Sequence, residues 1–185
     1  MRGLATSRSR RELLKFGMAG AAMTVPAMSG ASVRAAASSR RVAFHNLHTG
    51  ETLDVVYWDQ GAYVPDALTA VNHVLRDFRN NETHMIEPRL LDLLDTLSGR
   101  LGARGPFHVI SGYRSPATNA MLHEHGGGVA SNSLHMQGLA IDVRLGDVDL
   151  DRLHQAALSL GGGGVGYYPA SDFVHVDVGR VRHWG

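Results

Sequence analysis

Ser131-Asn132-Ser133-Leu134-His135-Met136-Gln137-Gly138-Leu139-Ala140-Ile141-Asp142 is the stretch on which the reading of this 185-residue chain turns. Its last residue stands inside an apolar run, Leu139-Ala140-Ile141-Asp142-Val143. A carboxylate there is costly to bury unless it is paired or binds a metal ion. A matching oddity lies near the C-terminus, in Phe173-Val174-His175-Val176-Asp177-Val178. Side chains alternate between the faces of a strand. In the earlier run Ile141 and Val143 therefore point to a core, while Ala140, Asp142 and Arg144 face the other way. In the later run Val174, Val176 and Val178 point inward, and Phe173, His175 and Asp177 share the opposite face. If the two strands pair, Asp142 and His175 meet on one surface, and His135 folds over from the loop before the first strand. Two imidazoles and one carboxylate leave a fourth tetrahedral position open, the arrangement of a catalytic zinc site for one ion. The simpler reading of Asp142 is an ion pair with Arg144, two residues away on the same face.

The elements around these strands read as α+β, with a small antiparallel sheet flanked by helices. Arg41 to Tyr57 alternates around His48-Thr49-Gly50 and predicts a hairpin. Pro65 opens a helical pattern with Leu68, Val71, Val74, Leu75 and Phe78 on one side. Glu87-Pro88 starts a second helix, with Leu90, Leu91, Leu94 and Leu97 inward, ending near Gly102. Phe107 to Ser111 is a strand, Ala117 to His123 a helix, Leu139 to Arg144 a strand and Asp149 to Leu160 a helix. After Gly161 to Gly164, Val165 to Tyr168 and Phe173 to Val178 form a last hairpin. The four glycines lack the Gly-Lys-Ser/Thr of a phosphate loop and read as a turn.

Composition removes whole classes of chemistry. The chain has no cysteine, so disulfides, thiolate metal sites and cysteine nucleophiles are excluded. Its single lysine, Lys15, lies in the first 37 residues. These read as a twin-arginine export signal: Ser9-Arg10-Arg11-Glu12-Leu13-Leu14-Lys15, an apolar run from Phe16 to Met28, then Ala35-Ala36-Ala37 for cleavage. Residues 38–185 are then expected to form one domain around this zinc site, meeting the membrane only during export. Cleavage would leave 12 basic and 16 acidic groups, a formal charge of about −4, which gives no support for nucleic-acid binding. With no Gly-x-Ser-x-Gly elbow, a serine hydrolase using Ser133 or Ser111 is disfavoured, and Ser133 reads as a capping residue of its loop.

The motifs resemble those of the zinc D-Ala-D-Ala metallopeptidases, whose fold is shared with hedgehog signalling domains. That pattern, Ser-x-His-x-x-Gly-x-Ala-x-Asp, is met by Ser133, His135, Gly138, Ala140 and Asp142, with His175 as the later histidine. Ser111-Gly112-Tyr113-Arg114-Ser115-Pro116, with Asn119, is similar to the family's upstream arginine motif. The closing Phe173-Val174-His175-Val176-Asp177 and Trp184 resemble its murein endopeptidase K branch. The resemblance covers about Phe107 to Trp184. It implies zinc ligands His135, Asp142 and His175, and Arg114 as donor to the peptide carbonyl oxygen or a substrate carboxylate. It implies a general base at Asp172, three residues before the last ligand where dipeptidase members have glutamate, or at His183. The implied activity is hydrolysis of stem peptides or cross-links of peptidoglycan by an exported, periplasmic enzyme. A murein-binding domain that keeps zinc without catalysis is the alternative. The pattern does not say which murein bond is cut.

Overall fold

The computed structural model describes residues 39–125 and 130–185; the expected signal segment lies outside them. Eight strands form one sheet: β1 Arg40–Asn46, β2 Thr52–Asp59, β3 Ala62–Tyr63, β4 Phe107–Ser111, β5 Ala140–Leu145, β6 Gly164–Tyr168, β7 Phe173–Asp177 and β8 Arg182–Trp184. Their order is β3-β2-β1-β4-β5-β7-β6-β8. Four helices accompany it: α1 Pro65–Val74, α2 Pro88–Leu101, α3 Pro116–Glu124 and α4 Leu150–Leu160. The α+β expectation holds, but the sheet is neither small nor wholly antiparallel: it has eight strands and is mixed. β1 runs parallel to β4, and β8 parallel to β6. The crossover through α1 and α2 returns the chain beside β1 in the same direction, and β8 crosses to the free edge of β6. Among the described residues, no helix is long and apolar enough to cross a membrane.

Three helices begin with proline, where the missing N–H costs nothing because the first turn has no acceptor for it. Leu90, Leu91, Leu94 and Leu97 of α2 are fully buried, each worth roughly 1.5–3 kcal/mol relative to exposure. They pack with Val42, Phe44, Val109, Ile141, Val143, Val174 and Val176 of the strands. The strands thus give alternate residues to this core and leave His45, His108, Asp142 and His175 on the opposite face.

Helix α1 stops at Val74 although its apolar spacing continues to Phe78. A longer helix would use the carbonyls of Val74 and Leu75 as acceptors for Phe78 and Arg79. Asn46 Nδ2 takes the first at 2.9 Å and Tyr113 N takes the second at 2.7 Å. Arg79 N instead donates to the buried carboxylate of Asp77 at 3.1 Å. Phe78 is thereby freed from the helix and stacks on His48, with ring centroids 3.8 Å apart.

Candidate metal centre

Strand pairing puts Asp142 directly opposite His175 in the β5–β7 ladder. His135 lies on a short 3-10 turn, Leu134–Gln137, which Ser133 caps by accepting from His135 N at 3.3 Å. Gly138 ends that turn at φ 67°, where a Cβ would lie 2.1 Å from the Met85 carbonyl oxygen. Only glycine fits this backbone path, so the glycine in the motif sets the angle at which His135 enters the site.

The three side chains converge. His175 Nδ1 lies 2.8 Å from Asp142 Oδ1, His135 Nε2 lies 3.3 Å from the same oxygen, and the two nitrogens are 3.2 Å apart. All three residues are buried, with 3–8 % of their surface exposed. Among the described residues they form a group whose ligand atoms all lie within 4.8 Å of one another. Each imidazole is fixed from behind. His135 Nδ1 is 2.8 Å from the Gly112 carbonyl oxygen, so that nitrogen donates and Nε2 is left with its lone pair inward. His175 Nε2 is 3.1 Å from Asp177 Oδ2 and in the same way leaves Nδ1 as an acceptor toward Asp142. Three acceptors packed this closely repel one another unless a cation lies between them. The donor set therefore fits a divalent metal, with the outer hydrogen bonds setting each tautomer.

Electrostatics agree with an ionised acid. Burial opposes the charge on Asp142, but positive charge on the facing imidazoles, standing where an ion would lie, and their hydrogen bonds when so protonated hold its carboxyl well below the usual range. Arg144 is not its partner: that guanidinium donates to Asp172 at 2.6 Å. Asp177 is fully buried, yet hydrogen bonds from His175, Arg182 and the Gly164 and Gly179 amides outweigh its burial and hold it low as well.

The His135–Asp142–His175 group opens into a cleft of about 540 Å³. Arg114 lines it, 91 % buried. Its Nη2 stands 3.8 Å from Asp142 Oδ2 and 3.4 Å from Ser111 Oγ, Nη1 stands 3.5 Å from Asn119 Oδ1, and Nε has no partner among the described residues. A buried guanidinium with contacts this long has donors to spare for a substrate oxygen. An aromatic wall stands beside the metal cluster. Trp184 lies 5.1 Å from the His175 ring and donates from Nε1 to Tyr168 Oη at 2.8 Å, and Tyr168 stacks on Phe173 at 4.5 Å. A Cβ on Gly166 would meet the Trp184 indole at 2.6 Å, so glycine there lets the ring lie flat against the sheet.

The other two candidate site residues are placed elsewhere. Asp172 sits in the turn before β7, its side chain 62 % exposed and bound to Arg144. His183 pairs with Val165, on the helix side of the sheet, close enough to His154 for the two charges to repel. Neither lines the cleft. Sequence reasoning missed His48, Phe78 and Arg79 as part of the cleft neighbourhood; for Tyr167 and Tyr168, which alternate faces, it allows at most one to line a cleft, and Tyr168 does. His48 could have been suspected from the turn that follows Asn46, whose Oδ1 accepts from His48 N at 2.9 Å. Arg79 carried no local signal.

A buried two-histidine, one-carboxylate set that opens on a cleft is the donor set that hydrolytic metal centres with an open ligand position use. The comparisons narrow this class. The chain belongs to the peptidoglycan L,D-endopeptidase MepK family, whose model it matches over residues 34–184. It is 41 % identical over 179 residues to the peptidoglycan L,D-endopeptidase MepK of Escherichia coli strain K12, covering 95 % of this chain and 97 % of that protein. It is 36 % identical over 178 residues, 96 % of each chain, to the probable peptidoglycan L,D-endopeptidase MepK of Haemophilus influenzae.

Proposed function

We propose that this chain is a zinc-dependent endopeptidase that hydrolyses the peptide cross-links of bacterial peptidoglycan, acting in the periplasm after twin-arginine export. The observation that carries this reading is the convergence of His135 Nε2, His175 Nδ1 and Asp142 Oδ1, each within 3.3 Å of its neighbours, on the open floor of a cleft. The family supports cross-links as substrate, and the motif order supports a fold of the hedgehog/DD-peptidase type.

His135, Asp142 and His175 would hold the ion. Bound there, zinc supplies Lewis acidity and an acidified water near neutral pH. The chain's own residues do the rest. Arg114 binds the scissile carbonyl oxygen or an adjacent carboxylate, and its spare donors are worth most as negative charge builds on that oxygen. The Gly112 carbonyl and Asp177 keep the ligand nitrogens deprotonated toward the site. Tyr168, Phe173 and Trp184 give the peptide an apolar wall and limit water on that side.

The proton-transfer role is the one the geometry leaves unfilled. Asp172 can reach the cleft only by exchanging Arg144 for solvent or substrate, and His183 faces the helices. With the Arg144 pair kept in the substrate complex, Asp172→Asn changes kcat less than about tenfold. A loss of roughly 10²- to 10⁴-fold, the range of a general base, would mean instead that the carboxylate swings inward. Single-turnover digestion of cross-linked muropeptides distinguishes the two.

The test of the function is digestion of purified cross-linked muropeptides followed by mass spectrometry. New uncross-linked products are expected, abolished by a chelator and restored by zinc. Binding without products would leave a murein-binding domain that keeps zinc for structure.

A further inference from the structure

Besides Arg114 and Arg182, which Asp177 holds, the cleft carries a third guanidinium that the reaction above does not use. Arg79 lines it together with Arg114 and the metal ligands. Both arginines are placed by one buried acid. Asp77 Oδ1 accepts from Arg79 N at 3.1 Å, and Asp77 Oδ2 accepts from Ser115 N, next to Arg114, at 2.9 Å. Both guanidiniums therefore bring like charge into one cleft. Arg79 has no carboxylate within salt-bridge reach among the described residues. Its guanidinium lies over the Phe78 ring at 4.2 Å, that ring stacks on His48, and His48 Nε2 is 3.0 Å from the Ile110 carbonyl oxygen. A long, exposed side chain is thus seated on an aromatic platform beside a like charge.

Two neighbouring cations raise each other's energy until an anion arrives. The planar fork of arginine matches a carboxylate better than any other anion a peptide offers. Cross-links between two diaminopimelate residues present free carboxylates on both sides of the bond. We propose that Arg79 is a specificity-determining residue that binds a carboxylate of the diamino diacid beside the scissile bond while Arg114 serves the bond itself. The chain therefore selects cross-links whose diamino diacid is a free acid over the same cross-links carrying an amide. This inference rests on the peptidase reading above.

The test compares zinc-loaded wild type and Arg79→Gln on two synthetic substrates, a diaminopimelate–diaminopimelate cross-linked muropeptide and its carboxamide form. Wild type is expected to show a KM about five- to tenfold lower for the free acid, with kcat changed less than twofold. Arg79→Gln is expected to lose that preference, its KM for the two substrates differing by less than twofold, and Arg79→Lys to recover part of it. Arg79 is exposed, so the substitution leaves the core untouched. A wild type indifferent to amidation, or a preference that persists in Arg79→Gln, overturns the proposal. If wild type cleaves neither substrate, the peptidase reading itself falls and takes this inference with it.

Discussion

Asp142→Ala is expected to abolish zinc binding and to lower cross-link cleavage by more than about 10³-fold, beyond the loss of a single oxyanion donor. The reason is geometric. Asp142 Oδ1 is the shared neighbour of both ligand nitrogens, at 2.8 and 3.3 Å. Without it, two imidazoles 3.2 Å apart must hold a cation alone in a buried site. The fold should survive, because Ile141 and Val143 on either side keep their places in the core. Metal content and melting temperature separate the effects. Zinc at 100 times its dissociation constant stabilises the native state by about 2.7 kcal/mol, several degrees for a domain of this size. Wild type shows that rise on zinc addition, and Asp142→Ala shows none. A variant that lost its zinc yet kept full activity would remove the metal from the mechanism.

The pairing of Asp142 with His175 was legible because it needs only the two-residue period of strands and two apolar runs broken by chemistry-bearing residues. The same logic placed Asp177 on the site's face. The glycine of the motif was legible as a residue, but its cause was not, since the Met85 carbonyl that fills its Cβ position comes from more than fifty residues away. Partners at long range likewise hid the end of α1: the sequence carries an apolar stripe to Phe78, and only Asn46 and Tyr113 capture the carbonyls that would have continued the helix. Arg79 owes its place in the cleft to that early stop. Strand β8 is three residues long and polar, too short for periodicity, yet it carries Trp184 to the site and turns His183 away from it. For Asp172, motif spacing gave the position in the chain but not the direction of the carboxylate, which Arg144 decides.

Asp177→Ala should cost both the fold and the metal, and comparison with Asp177→Asn shows why these are separate losses. The carboxylate has no exposed surface and gathers five contacts: Gly164 N at 2.9 Å, Gly179 N at 2.8 Å, Arg182 Nη1 at 3.1 Å, Arg182 Nη2 at 2.7 Å and His175 Nε2 at 3.1 Å. Alanine leaves two amides and a guanidinium unmatched at the junction of β6, β7 and β8. Breaking a buried charged network from one side costs about 3–5 kcal/mol, seen as a fall in melting temperature of roughly 10 °C or more. Asparagine keeps the shape, and its carbonyl oxygen still accepts from Gly164 and Gly179, so its stability loss should be smaller, about 1–2 kcal/mol. Its amide, however, presents a donor to His175 Nε2. That nitrogen must then accept, which moves the imidazole proton to Nδ1, the atom facing Asp142. Zinc affinity should fall about 10- to 100-fold in Asp177→Asn, at least as far as in Asp177→Ala, despite the better-preserved fold. If zinc affinity instead follows melting temperature across the two variants, Asp177 acts on the metal only by holding the strands together.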